Sequence, residues 1–158
     1  MDPQNPIVPI HRLRRDTGAV HGYEHILSQI VGVIRDLESA SGLSHPARIG
    51  IGTPGVVEPV TGSLKNSNTT CLNGRPLRDD LASALNCGFV MANDANCFAL
   101  AEAICGAGRN AEVVLGLILG TGVGSGIVIN GQVLNGHHGI AGERGHNPLC
   151  GETRLCYC

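Results

Sequence analysis

Apolar residues recur at helical spacing along the segment Tyr23–Ser41, which predicts an amphipathic helix. Gly42 follows this segment and marks its end, because glycine readily adopts the backbone conformation that terminates helices. Two shorter helices are predicted at Leu77–Leu85 and at the alanine-rich Ala95–Gly106. The recurring apolar positions of the first helix are Ile26, Leu27, Ile30, Val31, Val33, Ile34 and Leu37.

Short apolar segments separate the helices and predict strands at Arg48–Thr53, at Phe89–Ala92 and, as a buried strand, at Val113–Leu119. This order of elements predicts an α/β architecture with a mixed sheet. Ligands of such folds bind beyond the C-terminal ends of the strands. Three candidate ligand-binding segments therefore lie at Thr53–Gly55, Asn93-Asp94 and Gly120–Gly122.

A glycine-rich turn, Gly120–Gly126, follows the last of these strands and leads to a second apolar run, Ile127–Ile129. Asn130-Gly131 then gives a strong hairpin signal. Glycine has no Cβ, so the backbone N–H groups of such a turn can approach a phosphate closely. The turn is neither a Walker loop nor a Rossmann fingerprint, since no Lys-Ser or Lys-Thr follows the glycines and no helix begins after them.

Composition narrows the class of protein. The chain has 158 residues and a net charge of -2, and it contains no basic run that would favour nucleic acid and no apolar run long enough to span a membrane. The N-terminal segment lacks the apolar core of a secretory signal, so we expect a cytoplasmic protein. The seven cysteines of the chain are expected to bind a metal or to be buried thiols rather than to form disulfides. Four scattered cysteines are expected as small core residues: Cys71, Cys87, Cys97 and Cys105.

Asp94 follows a predicted strand and opens a predicted helix, where a carboxylate is stabilised by the helix dipole. One interpretation is structural, with Asp94 or Asn93 acting as the helix N-cap. The other is catalytic, since a carboxylate placed here could act as a general base and accept the proton of a substrate hydroxyl.

Side chains suited to hydrogen bonding with hydroxyl groups of a ligand occur in two further segments. Asn66 and Asn68 lie in a polar segment that is either a ligand-binding loop or an ordinary turn. Glu143 and His146 are three residues apart, so both face one site if the turn between them is helical.

Four segments together resemble the ROK family of sugar kinases and repressors. They are the hairpin GTGVGSG, the segment NDAN around Asp94, the segment NSNTTCLNGRPL and the segment GERGH. The resemblance covers about residues 7–158. It implies the actin-like ATPase fold of the sugar kinase, Hsp70 and actin superfamily, which is an α/β fold.

The resemblance implies a role for each candidate residue. Asp94 would be the catalytic base. The sugar would be bound by Asn68, Asn93, Glu143 and His146. The γ-phosphate of ATP, with Mg²⁺ shielding its charge, would be held by Gly120, Thr121 and Gly122.

A structural zinc site is also implied, because members of the family carry a histidine followed by C-x-C-G-x-x-G-C. His146, Cys156 and Cys158 supply three ligands of this pattern, whereas its final cysteine has no counterpart in this sequence. Cys150 would serve as the fourth zinc ligand in place of that cysteine. The alternative to a zinc site is a set of free thiols.

The family pattern begins with a D-x-G-G-T phosphate loop that does not precede His11, and it continues beyond C-x-C. We therefore expect an internal fragment that holds part of the fold and transfers little phosphate alone. Residues 1–109 would form a sugar-binding N-terminal domain lacking its first strands. Residues 110–158 would form the start of the C-terminal domain.

The substrate expected from the resemblance is a hexose or amino-hexose. The strings GERGHNPL and CYC most resemble the fructokinase branch, with N-acetylglucosamine kinase second. A sugar-sensing transcriptional repressor and a remnant without selected function are the alternatives from other classes. We expect no nucleic acid or membrane partner, and a homodimer is one expectation because dimers are common in the family.

Overall fold

The computed structural model describes residues 8–120, 122–148 and 150–155. Three helices alternate with short strands over these residues. The helices are α1 (Tyr23–Ser41), α2 (Leu77–Leu85) and α3 (Asp94–Cys105). The strands are β1 (Arg48–Thr53), β2 (Val56–Val57), β3 (Leu64–Lys65), β4 (Gly88–Asn93), β5 (Val113–Leu119), β6 (Val123–Ile129) and β7 (Gln132–Val133).

The chain forms two compact units, the first containing residues 8–51 and 62–91 and the second containing residues 52–61 and 92–155 of the described chain. In the first unit, α1 packs against α2. Tyr23 of α1 is buried, its hydroxyl donates to the carboxylate of Asp80, and the guanidinium of Arg75 lies 4.1 Å from the centroid of its ring. The buried leucines of this unit are Leu64, Leu72, Leu77, Leu81 and Leu85.

In the second unit, α3 packs on a three-stranded antiparallel sheet with the order β5-β6-β7. Helix α3 can lie close to the sheet because glycines of the sheet have no side chain at the contact. A Cβ atom at Gly116 would lie 2.7 Å from the Cβ of Ala99, and one at Gly126 would lie 2.8 Å from the carbonyl oxygen of Ala95. The first turn of α3 is therefore held directly against the glycine-rich hairpin.

Val113–Leu119 forms a strand as predicted, but the prediction that this strand is buried is wrong. Gly116 is buried under α3, whereas Val113 and Leu119 on the opposite face are 61% and 73% exposed. A continuous apolar run is typical of a strand covered on both faces. Among the described residues, helix α3 covers one face of this sheet, and on the other face the apolar side chains of β5 are exposed.

The glycine-rich turn is shorter than the sequence predicts. Only residues 120–122 connect the strands, and Val123–Ile129 is a single strand in register with β5. The hairpin at Asn130-Gly131 is confirmed, with φ values of 49° and 74° at its two turn residues. Both values lie in the left-handed region that tight hairpin turns require.

The short strands β2 and β3 were not predicted, because two-residue strands carry no periodic signal. A single mixed sheet is also wrong for the described residues, where β1 pairs with β4 and the strands β5, β6 and β7 form a separate sheet. The division near residue 110 refers to the complete fold of the family and stays a prediction. None of the described helices is long and apolar enough to cross a membrane.

Candidate functional site

Helix α3 begins at Asp94, directly after β4. The N-cap is Asn93, whose side-chain oxygen accepts a hydrogen bond of 3.1 Å from the backbone N–H of Asn96. The Oδ1 atom of Asp94 accepts from the backbone N–H of Ala95 at 2.9 Å, and the side chain is exposed. The capping interpretation therefore applies to Asn93, which leaves the carboxylate of Asp94 at the surface of the helix N-terminus.

Asn93 is 7% exposed and both ends of its side chain bond to the protein. Its Oδ1 caps α3, and its Nδ2 donates to the carbonyl oxygen of Gly55 at 3.3 Å. The hydroxyl of Thr53 donates to the carbonyl oxygen of Ala92 at 3.3 Å. Asn93 thus ties the start of α3 to the turn after β1. Its direct contact with a sugar stays a prediction.

The structure brings Glu143 into the electrostatic neighbourhood of Asp94 and His146. Burial raises the pKa of Glu143, the negative charge of Asp94 raises it further, and the charge of His146 acts in the opposite direction. Glu143 follows Gly142 in a turn, and its backbone N–H donates to the carbonyl oxygen of Ile140 at 3.2 Å. Glu143 is therefore within electrostatic range of both Asp94 and His146 in the second unit.

Cys97 also lies beside this site, which the sequence analysis missed by assigning it to the core. Cys97 lies at the surface, and desolvation of its sulfur by neighbouring atoms, together with the charge of Asp94, raises the pKa of the thiol. A Cβ atom at Gly52 would lie 3.6 Å from the Cys97 sulfur. The spacing of three residues from Asp94 could have revealed this position, because residues three apart on a helix share a face.

The turn between β5 and β6 is open. A Cβ atom at either Gly120 or Gly122 would meet no atom within 4 Å, so this backbone has room for a bulky anion. The N–H of Gly120 donates to the carbonyl oxygen of Gly122 at 3.0 Å. A phosphate could receive this N–H only after that hydrogen bond has opened. Thr121, the third predicted phosphate-binding residue, lies outside the described residues.

Asn68 lies in the first unit, in an exposed position of the loop after β3. The loop is held by Asn73, whose Oδ1 accepts from the N–H of Ser67 at 2.8 Å and whose Nδ2 donates to the carbonyl oxygen of Ser67 at 3.0 Å. Asn66 precedes it with a φ of 58°. The motif NSNTTCLNG is thus a built loop that presents Asn68, and a sugar contact at Asn68 stays a prediction.

The zinc site stays a prediction as well. Cys156 and Cys158 lie outside the described residues, and His146 and Cys150 are both exposed. In the part of the chain that the structure describes, no group of three or more His, Cys, Asp or Glu side chains could hold a metal ion.

An open cleft of about 670 Å³ lies in the first unit, lined by residues that include Glu24, Arg75 and Asp80. Arg75 pairs with Glu24 at 2.9 Å, and Asp80 accepts the hydroxyl of Tyr23. The charged side chains of this cleft therefore interact with other groups of the protein. No predicted site residue lines the cleft.

Comparison with known proteins identifies relatives over nearly the whole chain. The profile described as "ROK family" matches residues 8–158. The N-acetyl-D-glucosamine kinase of Pectobacterium atrosepticum is 41% identical over 129 residues, which are 82% of this chain and 42% of that protein. The chain thus spans less than half the length of the curated relatives it matches.

Solved structures of ROK family proteins superpose on most of this chain. A ROK family glucokinase from Streptomyces griseus in complex with glucose and AMPPNP superposes with a TM-score of 0.69 and is 30% identical. The match covers 80% of this chain and 39% of that one. A ROK family transcriptional regulator, a homologue of the E. coli MLC protein, superposes with a TM-score of 0.66 at 28% identity, covering 85% of this chain and 35% of that one. The fold is therefore the actin-like ATPase fold of ROK sugar kinases, of which this chain covers a part.

Proposed function

Because the chain belongs to the ROK family, we propose that this protein is a sugar kinase that transfers the γ-phosphoryl group of ATP to N-acetyl-D-glucosamine. The observation that carries the proposal is that α3, which begins at Asp94, and the Gly142–Gly145 turn, which contains Glu143, both pack closely on the strand that follows the open glycine turn. The choice of sugar rests on relatives that bear the name N-acetyl-D-glucosamine kinase at 41% identity. That likeness outweighs the short fructokinase-like strings.

Asp94 is the proposed general base. A sugar hydroxyl is a weak nucleophile, and a carboxylate that accepts its proton promotes in-line attack on phosphorus. Since Asn93 is the helix cap, the carboxylate of Asp94 is not needed to cap α3. Its exposed position at the helix N-terminus lets a substrate hydroxyl reach it.

Glu143 and His146 are the proposed sugar ligands of the same unit. Both residues are exposed, so sugar hydroxyls can reach their side chains. Desolvation by neighbouring atoms and the charge of Asp94 raise the pKa of Glu143. Asn68, in the first unit, is also a proposed sugar ligand, and it lies on the loop that Asn73 holds in place.

The backbone of the glycine turn is chemically suited to binding a phosphate group of the nucleotide. The turn offers backbone without side chains at Gly120 and Gly122, where a phosphate would meet no Cβ atom. ATP would supply the phosphoryl group, and Mg²⁺ would neutralise its charge.

The test uses the polypeptide expressed from its native gene, whatever its length. ADP release is measured with N-acetyl-D-glucosamine, fructose and glucose as acceptors. The proposal predicts that kcat/KM for N-acetyl-D-glucosamine exceeds that for the other two by about tenfold or more, or about 1.4 kcal/mol of transition-state binding. A preference for fructose would contradict the choice of sugar, and the absence of turnover with every sugar would contradict the kinase.

A sugar-sensing transcriptional regulator is the second candidate, because the chain also superposes on such a protein. The intact Asp94 favours the kinase, since a sensor requires no base. The two are distinguished by the same assay together with DNA binding by the native polypeptide. Specific DNA binding without phosphoryl transfer would select the regulator.

A further inference from the structure

Ser125 is a buried polar residue to which the proposed chemistry assigns no role. It lies in β6, between two glycines that face α3, and its side chain is 1% exposed. Its hydroxyl donates a short hydrogen bond to the carbonyl oxygen of Gly142. Gly142 directly precedes Glu143, so this bond joins the glycine-rich hairpin to the turn that carries Glu143.

The turn formed by residues 142–145 lies so close to β6 that its two glycines leave no room for a side chain. Gly142 has a φ of 91°, and a Cβ atom there would lie 3.3 Å from Cγ1 of Ile127. A Cβ atom at Gly145 would lie 2.3 Å from the carbonyl oxygen of Val123. The contacts flank Glu143 on both sides, and the Ser125 hydroxyl is a side-chain donor that fixes this turn to the strand.

We propose that Ser125 is a positioning residue, whose hydroxyl fixes the Gly142–Gly145 turn to the hairpin and so holds Glu143 beside Asp94. The hairpin strand that leads out of the glycine turn would then place the Glu143 turn as well. The consequence for sugar and phosphate binding rests on the proposed function, whereas the positioning itself does not.

The size of the effect follows from the chemistry of the bond. One hydroxyl-to-carbonyl hydrogen bond shifts a local opening equilibrium by about fivefold. Ser125→Ala removes the donor, keeps a small side chain and leaves the backbone of β6 unchanged. The turn should therefore open more often, while the sheet and α3 stay folded.

Hydrogen exchange of the unliganded chain tests this directly. The amides of Glu143 and Asn147 donate to the carbonyl oxygens of Ile140 and Arg144 at 3.2 and 3.0 Å, so both report on the turn. In Ser125→Ala their exchange should rise about fivefold. Unchanged exchange at both amides, or an equal rise throughout β5 and α3, would overturn the proposal.

Ser83→Ala is the matched control, since it removes a hydroxyl that donates to the carbonyl oxygen of Asp79 at 2.9 Å in α2. Exchange at the Glu143 and Asn147 amides should not change in this variant. A rise equal to that of Ser125→Ala would contradict a local role for Ser125.

An NMR titration of Glu143 gives a readout that a general loss of stability would not move. Its pKa, raised by burial and by Asp94, should fall toward the ordinary value of a glutamate in Ser125→Ala. An unchanged pKa would show that Ser125 does not place Glu143. Neither measurement uses sugar or nucleotide, so both decide the proposal even where the kinase assay fails.

Discussion

The contact between Gly126 and α3 can be tested by adding a single methyl group. A Cβ atom at Gly126 would lie 2.7 Å from Oδ1 of Asn96 and 2.8 Å from the carbonyl oxygen of Ala95. The second of these atoms is backbone, so relief requires α3 itself to move away from β6. Gly126→Ala is therefore expected to separate the helix that begins at Asp94 from the hairpin.

The magnitude is the difference between two effects. Overpacking of a tight contact costs about 1–3 kcal/mol. Replacing glycine by alanine in a strand returns about 0.5–1 kcal/mol, because the unfolded chain has less freedom to lose. The central values of these two effects give a net loss of about 1–1.5 kcal/mol, which corresponds to a Tm about 2–6 °C lower for a chain of this size.

The assay is urea and thermal unfolding followed by circular dichroism. Gly50→Ala is the control, because Gly50 lies in β1 and a Cβ atom there would meet no atom within 4 Å. The control should be neutral or about 0.5–1 kcal/mol more stable than the unsubstituted chain. Gly126→Ala with unchanged stability, or equal losses in both variants, would refute the reasoning.

Three further predictions concern the capping, loop and acidic residues. Asn93→Ala removes the cap of α3 and should lower the free energy of unfolding by about 1 kcal/mol in urea; no loss would refute the capping role. Asn73→Ala removes both hydrogen bonds to Ser67, and it should speed proteolysis within the 66–70 loop about tenfold; an unchanged cleavage rate would contradict the support of that loop. Glu143 has a pKa raised above 4.5 in the folded chain, so its contribution to stability is fully present below pH 4.5 and is lost as the pH rises through the folded pKa. Glu143→Gln should abolish this component of the pH dependence of unfolding, and identical pH profiles for the two chains would contradict it.

Periodicity and end signals were sufficient for the larger elements. α1 begins at Tyr23 and ends at Ser41 as predicted, and Gly42 ends it with a φ of 64°. The same holds for β1, α2 and β5, whose bounds agree with the prediction. These segments are long enough for a repeating pattern to exceed the noise of single residues.

The roles of the glycines could not be predicted, because one residue type serves two purposes. A glycine that admits a ligand and a glycine that admits a helix have the same sequence signature. Only Gly120 and Gly122 lie in the turn, while Gly116 and Gly126 carry the packing of α3. The sequence predicts Gly124 and Gly126 within the glycine-rich turn, whereas both lie in β6.

The capping question was also open until the fold was known. Asn and Asp are both good helix caps, so the order Asn93-Asp94 leaves two solutions. The structure selects Asn93, since its side chain accepts from Asn96. Ser125 could not be found from sequence because its partner is the backbone of a residue 17 positions away.

The measurement that tests the central claim most directly is the turnover of Asp94→Asn in the polypeptide expressed from its native gene. As general base, Asp94 should support kcat by a factor of about 10²–10⁴ with N-acetyl-D-glucosamine, while the KM for the sugar changes little. Asp79→Asn, which alters an exposed carboxylate in the first turn of α2, should leave both constants unchanged. If Asp94→Asn retains more than about a tenth of kcat, Asp94 is not the base and the proposed mechanism is wrong.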